Sequence, residues 1–405
     1  MNVVIIGNGV AGVTAARVIR DRAPDAGVSI YTREPHHYYY RPRLPEVVAG
    51  ELGITDILAN SPEWYASRRI DVHLSTPVTS VDVAGRRVRL GNGATVPFDR
   101  LLVASGSDAF VPPVDGARTP GAFALRTADD AVAIHEWAGR SSRAVVVGCG
   151  LLGLESARGL RAAGLEVTVL ENSGRILPRQ LDEKGGALLE RFIAGLGIRI
   201  ARNARTTAIR GGDRVTGVAL EDGATLPADL VLFATGVRSA SGFLTESGIR
   251  VDHGVVVDCD MRASVPDVFA AGDVAEFNGR SWGIVPVALA QADAAGRSIG
   301  GDTGPKRCDV VPSATLKITG VDVFSAGVQS CPDTGCEEFV EEDPDGRRYR
   351  KIVTREGRII GAIVIGSRKG VREIGAMIEK GTPVGRHAGS IAREDFDYAG
   401  ALKGV

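Results

Sequence analysis

Short apolar runs that end in glycine-rich turns recur along the chain. Residues 2–6 read as a strand that is buried on both faces. A turn follows at 7–12, and the spacing of the apolar residues after it predicts an amphipathic helix, with Val13, Ala16, Val18 and Ile19 among its apolar positions. A second strand is predicted at 28–31. The order strand, glycine turn, helix, strand is typical of a nucleotide-binding βαβ unit.

The same pattern returns further along the chain. Residues 143–147 predict a strand, 148–153 a second glycine turn, 154–163 a helix and 166–170 another strand. One GxGxxG turn is a weak signal, but two turns in the same context are a strong one. The alternative interpretation is a pair of structural turns in an unrelated α/β protein.

Each residue type in these turns has a physical reason. The first glycine, Gly7, permits a tight turn, Gly9 lets a pyrophosphate approach the backbone, and Gly12 lets the helix pack closely on the strand. Unpaired N–H groups at the helix N-terminus then face the phosphates. Glu34 lies 22 positions after Gly12, and Glu171 closes the second unit in the same way, so each carboxylate is expected to accept from a ribose hydroxyl.

The remaining pattern extends this arrangement. Residues 101–106, 230–236 and 268–273 predict short strands that end in small or acidic residues, and 285–298 predict a helix. Residues 111–116 read as a linker. From about residue 306, alternating strands and turns followed by a helix near 369–380 predict a separate α+β domain.

Composition narrows the function classes. The chain has 405 residues with a net charge of −1, which argues against a nucleic-acid or anionic-membrane binder driven by bulk charge. No apolar run is long enough for a membrane span. The five cysteines, an odd and scattered set, argue against a disulfide framework and favour a reducing, cytoplasmic location. No histidine lies in a metal-ligand spacing with a cysteine, so no metal is expected.

With these motifs, the chain resembles the FAD-dependent pyridine nucleotide–disulfide oxidoreductase superfamily over nearly its whole length. Within it, the chain is most similar to NADH:rubredoxin and ferredoxin reductases and to the N-terminal part of NADH-dependent nitrite reductases. The residues that carry the resemblance are both glycine turns, Glu155, and the segments 40–45, 125–127, 234–236, 271–273 and 316–317.

The resemblance implies an α/β fold with two Rossmann-like, glutathione-reductase-like dinucleotide-binding domains and a small C-terminal α+β domain. It implies an FAD-binding domain at 1–117 and 243–305, an NAD(H)-binding domain at 118–242 and a C-terminal domain at 306–405. The implied FAD residues are Gly7, Gly9, Val10, Ala11, Gly12, Arg33, Glu34, Arg41, Val78, Ala104, Ser105, Gly106, Arg126, Gly272, Asp273, Val285 and Lys317. The implied NADH residues are Gly148, Gly150, Leu151, Leu152, Gly153, Glu155, Glu171 and Gly236.

The resemblance implies that Arg41 neutralises the FAD pyrophosphate. It also implies that Glu155, the catalytic candidate, lies between the flavin and the nicotinamide. Because hydride transfer needs no general acid, we interpret Glu155 as positioning the cofactors. The alternative for Glu155 is a solvated carboxylate on a helix. NADPH is expected to bind less well than NADH, because a carboxylate at Glu171 repels a 2′-phosphate.

Two departures from the family pattern matter. Ferredoxin reductases have a lysine beside the flavin where this chain has Glu46, and Arg43 is one alternative source of that cation. Disulfide reductases carry a redox cysteine pair in the stretch that corresponds to 35–50, which here has none. The pair Cys331 and Cys336 has the same spacing but falls in a turn-rich part of the C-terminal domain, where we interpret it as two turn cysteines; a redox dithiol is the alternative.

The sequence therefore predicts a flavoprotein that passes a hydride from NADH to FAD and then electrons to a carrier such as rubredoxin or ferredoxin, or to a reductase partner subunit. An NADH oxidase or a flavin subunit associated with nitrite reduction is one alternative. A redox-sensing flavoprotein whose reduced form binds another protein is the alternative from a different class.

Overall fold

The computed structural model describes residues 1–304, 311–318, 321–343, 345–384 and 389–403, without the side chains of 317, 318 and 403. Cys308 lies outside the described residues. The chain forms two compact units. The first comprises Met1–Arg43, Gly53–Ala109 and Val237–Val310. The second comprises Leu44–Leu52, Phe110–Gly236 and Val311–Val405.

The strands, in chain order, are β1 (Asn2–Ile6), β2 (Gly27–Tyr31), β3 (Ile70–His73), β4 (Val78–Asp82), β5 (Arg87–Leu90), β6 (Thr95–Pro97), β7 (Arg100–Val103), β8 (Ser107–Ala109), β9 (Ala122–Ala124), β10 (Arg143–Val147), β11 (Glu166–Glu171), β12 (Ile198–Arg202), β13 (Thr206–Gly211), β14 (Val215–Leu220), β15 (Thr225–Pro227), β16 (Leu230–Phe233), β17 (Val237–Ser239), β18 (Val255–Val257), β19 (Val268–Ala270), β20 (Ala275–Phe277), β21 (Ser313–Ile318), β22 (Val321–Gly327), β23 (Cys336–Glu342), β24 (Tyr349–Arg355) and β25 (Arg358–Ile365).

The helices are α1 (Val10–Arg22), α2 (Leu44–Val48), α3 (Pro62–Ser67), α4 (Ala128–Ala138), α5 (Leu151–Ala162), α6 (Glu183–Gly195), α7 (Val285–Ile299), α8 (Val371–Lys380) and α9 (Tyr398–Lys403). Short 3₁₀ helices lie at Arg41–Arg43, Ile54–Ile57 and Gly242–Leu244.

A parallel five-stranded sheet forms the centre of the first unit. Its strand order is β19-β7-β1-β2-β3, and Val4 lies beside Ser29 on one side and Leu101 on the other. The apolar runs predicted as strands are buried on both faces, as a parallel sheet requires. Helices α1 and α7 pack closely because small residues separate them: a Cβ at Gly296 would lie 2.7 Å from the Cβ of Val18.

The second unit repeats this sheet. The order β12-β11-β10-β16-β9 is again parallel, and Val145 lies between Thr168 and Val231. In both sheets the strand that ends in the glycine turn is central, so the turn lies at the carboxyl edge, where open α/β sheets bind ligands.

The second unit also contains the three-stranded sheet β13-β14-β15 and a five-stranded sheet formed by the C-terminal part of the chain. Its order is β21-β22-β25-β24-β23 and its pairs are antiparallel. Helix α8 packs on β25 and β22 and buries Ile374 and Met377. The predicted fold class, two dinucleotide-binding sheets with a C-terminal α+β part, is confirmed.

Candidate dinucleotide sites

The first glycine turn has the backbone geometry that its sequence predicts. Gly7 has φ +109°, and a Cβ there would lie 2.2 Å from the carbonyl oxygen of Ala104. A Cβ at Gly12 would lie 2.0 Å from the carbonyl oxygen of Gly7. A Cβ at Gly9 would meet no protein atom within 4 Å. Gly7 and Gly12 are therefore required by the fold, whereas Gly9 leaves open space beside the backbone.

That open space lies at the start of a helix. Gly9 is the N-cap of α1 and offers no side-chain cap, and Val10 and Ala11 form the first turn. The backbone N–H groups of this turn have no side-chain acceptor at the cap and suit an anion. The turn therefore fits the pyrophosphate of a dinucleotide.

A partly buried polar network lies beyond the end of β2. Arg41 donates to Glu34 Oε1 over 2.5 Å and to the hydroxyl oxygen of Tyr39 over 2.7 Å, and that hydroxyl donates to Glu34 Oε2. Burial opposes the charge of Arg41, but Tyr39 and Glu34 together raise its pKa above the ordinary value. The structure thus brings Glu34 and Arg41 together through Tyr39, a residue that the sequence analysis did not assign.

Asp273 lies where β19 ends and is held by its neighbours. Ser107 Oγ donates to Asp273 Oδ2 over 2.9 Å. The preceding glycine, Gly272, has φ +84° and donates its N–H to the buried side-chain oxygen of Gln291 on α7. Val285 begins the same helix. Ser107 and Gln291 were missed because their partners are distant in sequence.

The other FAD candidates are spread over both units. Ala104, Ser105 and Gly106 follow β7, Val78 begins β4, and Arg33 pairs with Asp108 across the carboxyl edge of the first sheet. Arg126 lies in the second unit just before α4, where its N–H donates to Asp130. Lys317 lies on β21, and its side chain is outside the described residues.

The second glycine turn has nearly the same backbone geometry as the first. Gly148 also has φ +109°, and a Cβ there would lie 2.4 Å from the carbonyl oxygen of Ala234. A Cβ at Gly153 would lie 2.1 Å from the carbonyl oxygen of Gly148. Gly150 has no protein atom within 4 Å of a Cβ and is the N-cap of α5, whose first residues are Leu151 and Leu152. This turn therefore fits a second dinucleotide.

Glu171 is bound by backbone groups. Its carboxylate accepts from the N–H of Cys149 over 3.2 Å and from the N–H of Ser173 over 2.8 Å. The Cys149 thiol is buried, and burial followed by the charge of Glu171 raises its pKa. Since a thiolate is the reactive form, we expect the buried Cys149 thiol to be unreactive.

Glu155 and Gly236 complete the second set. Glu155 lies half-buried on the second turn of α5. Gly236 follows β16 with φ +101°, and its carbonyl accepts from Phe110 N–H over 2.9 Å.

The cysteine pattern argued against a disulfide framework, but the structure differs: of the described cysteines, only Cys149 is free. Cys331 and Cys336 form a disulfide, and Cys259 is also disulfide-bonded. The turn before β23 brings the Cα atoms of Cys331 and Cys336 to 5.7 Å, within the usual range for a disulfide. Sequence spacing did not reveal this approach.

Among the described residues, no three His, Cys, Asp or Glu side chains lie together as metal ligands. Within the same part of the chain, none of the helices has both the length and the apolar content of a membrane span.

Two family models match the chain. Residues 1–292 match the pyridine nucleotide-disulphide oxidoreductase family, and residues 312–382 match the rubredoxin NAD+ reductase C-terminal domain. Together these matches agree with the resemblance that the sequence motifs indicate.

The chain is similar to several known proteins. A nitrite reductase [NAD(P)H] of Bacillus subtilis is 35% identical over 93% of this chain and 47% of its own length. The NADH-rubredoxin oxidoreductase of Clostridium acetobutylicum is 30% identical over 90% of each chain. The crystal structure of a ferredoxin reductase from Rhodopseudomonas palustris has a TM-score of 0.82 at 27% identity and covers 90% of this chain and 91% of its own. The chain spans about half the length of the first two curated relatives that it matches.

Proposed function

Since the chain belongs to the pyridine nucleotide-disulphide oxidoreductase family, we propose that it is an NADH-dependent flavoprotein oxidoreductase that passes electrons to a small carrier protein such as a rubredoxin or a ferredoxin. The observation that carries the proposal is the pair of matching open glycine turns, each with its own carboxylate, in one chain. When bound, FAD supplies the ability to accept a hydride from NADH and to release the electrons one at a time.

We assign FAD to the domain formed by residues 1–117 and 243–305. Gly9 and the start of α1 would receive the pyrophosphate, and Glu34 the adenosine ribose. Arg41 is already fixed by Glu34 and Tyr39, so it is held in place as a cation beside the bound phosphates. Asp273, held by Ser107, would accept from the ribityl chain.

We assign NADH to the domain at 118–242. Gly150 and the start of α5 would bind its pyrophosphate. Glu171 would accept hydrogen bonds from its adenosine ribose, and Glu155 would lie beside its nicotinamide. The N–H groups of Cys149 and Ser173 hold the Glu171 carboxylate in place, so a 2′-hydroxyl would meet a fixed acceptor. A 2′-phosphate would meet a fixed negative charge, so we expect NADH to be preferred over NADPH.

The carrier is proposed because a thiol route has little support. Residues 35–50 contain no cysteine, and Cys149 is buried with a raised pKa. Electrons would then leave the flavin directly. The match of 312–382 to the rubredoxin NAD+ reductase C-terminal domain and the similarity to an NADH-rubredoxin oxidoreductase support a small electron carrier as acceptor. We place the reaction in the cytoplasm, where NADH is available.

A second candidate is the flavin-containing part of a nitrite-reducing system. The observation that favours it is the 93% coverage of this chain by a nitrite reductase of about twice the length. In that case the acceptor would be a partner reductase subunit.

Anaerobic titration tests the proposal. The purified protein should bind about one FAD, and one equivalent of NADH should bleach its absorbance. Added carriers should then restore the oxidised spectrum. The rate of flavin reoxidation would rank the possible acceptors, which are rubredoxins, ferredoxins, nitrite-reducing subunits and oxygen. A protein that binds no FAD, or whose FAD is not reduced by NADH, would contradict the proposal.

A further inference from the structure

The disulfide of Cys331 with Cys336 lies on the surface of the second unit. It closes a turn whose four intervening residues, 332–335, are all exposed, directly before β23. The two cysteines themselves are half-buried, so a dithiol can approach the turn from solvent. Exposed disulfides are reduced more readily than the structural disulfides of secreted proteins. This bond therefore lies where it can open and close.

The backbone of this turn is joined to a buried lysine. Cys331 N–H donates to Glu338 Oε1 over 2.6 Å, and Glu338 Oε2 lies 2.8 Å from Lys351 Nζ. The Lys351 side chain is 6% exposed, and its Nζ also lies 3.1 Å from Asp182 Oδ2. The other oxygen of Asp182 accepts from the N–H of Gly185 and so caps α6. A continuous chain of contacts thus leads from the cysteine backbone to the start of α6.

A second contact joins the turn to the segment that precedes α6. Gln329, two residues before Cys331, donates a side-chain N–H to the carbonyl oxygen of Arg179. Asp182, the end of the first chain of contacts, lies three residues after Arg179. The residues beside the disulfide therefore hold the end of the 172–181 segment at two points.

The start of the 172–181 segment lies at the proposed NADH site. Ser173 N–H donates to the carboxylate of Glu171 over 2.8 Å. In the middle of the segment, Leu177 has φ +45°, a left-handed conformation that a leucine keeps only where its surroundings impose it. The backbone of the segment therefore depends on its contacts, and its position affects how Glu171 is held.

We propose that Cys331 and Cys336 form a reversible thiol–disulfide switch that controls the affinity of the second glycine turn for NADH. With the bond closed, the turn fixes the 172–181 segment and keeps Glu171 in the orientation that accepts from the adenosine ribose. With the bond open, Gln329 and the Cys331 N–H are no longer tied to the start of β23, and both contacts weaken. This inference rests on the proposed role of Glu171.

The reagent that operates the switch is a dithiol reductant. One of its thiolates attacks a sulfur of the disulfide, which forms a mixed disulfide and releases the other cysteine as a thiolate. The second thiolate of the reductant then displaces the remaining cysteine. The protein gains two electrons and two protons, and the reductant loses both and becomes a disulfide.

Binding of NAD+ to the FAD-loaded protein tests the switch without turnover. The protein is equilibrated in mixtures of reduced and oxidised dithiothreitol, and alkylation with mass spectrometry locates the free thiols. Isothermal titration calorimetry then measures NAD+ affinity in the oxidised and in the reduced form. Opening the bond should weaken NAD+ binding by about 5-fold or more, which is the usual lower range for coupling between two sites.

Variants separate this bond from other effects of the reductant. Cys331→Ser/Cys336→Ser changes a surface turn and should bind NAD+ like the reduced wild type in either buffer. Cys259 is also disulfide-bonded, and Cys259→Ser should keep the full response. Glu338→Ala removes the acceptor of the Cys331 N–H and should lose most of the response, whereas Glu337→Ala, its exposed neighbour on β23, should keep it.

Linkage supplies a measurement that needs no variant. If the closed bond favours NAD+ by some factor, saturating NAD+ must favour the closed bond by the same factor. The ratio of reduced to oxidised dithiothreitol that opens half of the Cys331–Cys336 bonds should therefore rise by the factor found in the titration. The ratio that opens the disulfide of Cys259 should not change. A purely structural disulfide would show no such shift.

Three outcomes would overturn the inference. The first is an NAD+ affinity that is equal in the oxidised and reduced wild type, or higher in the reduced form. The second is a full response in Cys331→Ser/Cys336→Ser, and the third is a full response in Glu338→Ala, which would exclude the route through Lys351. Failure of the proposed function would look different, because the wild-type protein would bind NAD+ in neither redox state and NADH would not reduce its flavin.

Discussion

The two glycine turns share one backbone but differ in what surrounds the carboxylate. Gly7 and Gly148 have the same φ, and the open positions Gly9 and Gly150 are alike. In the first unit the carboxylate of Glu34 is held by side chains, including a half-buried arginine. In the second, backbone N–H groups hold Glu171. The two turns are therefore alike in backbone geometry and differ in the groups that hold their carboxylates.

The second position of each turn also differs. Asn8 is buried and accepts from the hydroxyl of Tyr65 over 3.0 Å, which ties the first turn to α3. Cys149 at the matching position has a buried thiol and uses its backbone N–H on Glu171. The second position therefore joins the first turn to α3 through a side chain, and joins the second turn to Glu171 through the backbone.

The largest expected effect comes from removing Arg41, the cation that the first turn has beside its carboxylate and that the second, among the described residues, lacks. Arg41→Met should leave Glu34 with a partly buried charge and one fewer donor, and should weaken FAD binding by roughly 100-fold, since charge-assisted bonds contribute about 1.5–3 kcal/mol each. Binding of NAD+ to the second unit should be unchanged. Equilibrium dialysis of FAD against the apoprotein measures this, with Arg17→Gln, from an exposed pair on α1, as the control. Equal FAD affinity in both variants would refute the role of Arg41.

A second prediction concerns the C-terminal sheet, which packs against α6 in the second unit. Lys351 is buried between Asp182, the N-cap of α6, and Glu338. Lys351→Met would leave both carboxylates without their cation and should lower the free energy of unfolding by on the order of 3 kcal/mol.

The control for Lys351 is an exposed pair that also joins α6 to the C-terminal sheet. Lys184 and Glu342 are both largely exposed, so Lys184→Met should leave the free energy of unfolding close to that of wild type. Denaturant unfolding of the holoprotein measures both. Equal losses would show that burial of Lys351 does not matter.

Next in size is the choice of nicotinamide cofactor. Glu171→Ala should remove the acceptor for a 2′-hydroxyl and the repulsion of a 2′-phosphate, which should shift the NADH-to-NADPH ratio of kcat/KM by about 10-fold or more toward NADPH. Glu34→Ala, the matching change in the first unit, should leave that ratio alone. An unchanged ratio in the Glu171 variant would count against the assignment of NADH to the second turn.

The smallest predicted effect is on pH stability. Hydrogen bonds from Arg158 hold the pKa of Glu51 below its ordinary value of 4.5. The ionised form is therefore favoured by folding, and its contribution is present above pH 4.5 and is lost as the pH falls below it. Thermal unfolding of wild type should lose stability in that range more steeply than Glu51→Gln. Parallel curves would show that the ion pair adds nothing.

Sequence reasoning found what local backbone geometry dictates. A GxGxxG turn needs its glycines within six residues, so the strands and both turns were predictable. The helices begin earlier than predicted, at Val10 and Leu151, inside the glycine turns. The contacts of Asp273 with Ser107, and of Gly272 with Gln291, were not predictable, because they join distant segments. The disulfide of Cys331 with Cys336 depends on how the turn before β23 closes. Residues 44–52 fall in the second unit because α2 packs on α4 and α5, which no local pattern indicates.

The most direct test of the central claim, that the first turn holds FAD and the second NADH, uses Gly9→Ala and Gly150→Ala. Neither added methyl group would meet a protein atom within 4 Å, so both variants should fold, and each methyl would meet only the bound dinucleotide. Flavin content and the rate of flavin reduction by NADH are measured for both. The account predicts that Gly9→Ala loses FAD, whereas Gly150→Ala keeps FAD but needs far more NADH for reduction. The reverse pattern, or no loss in either variant, would contradict it.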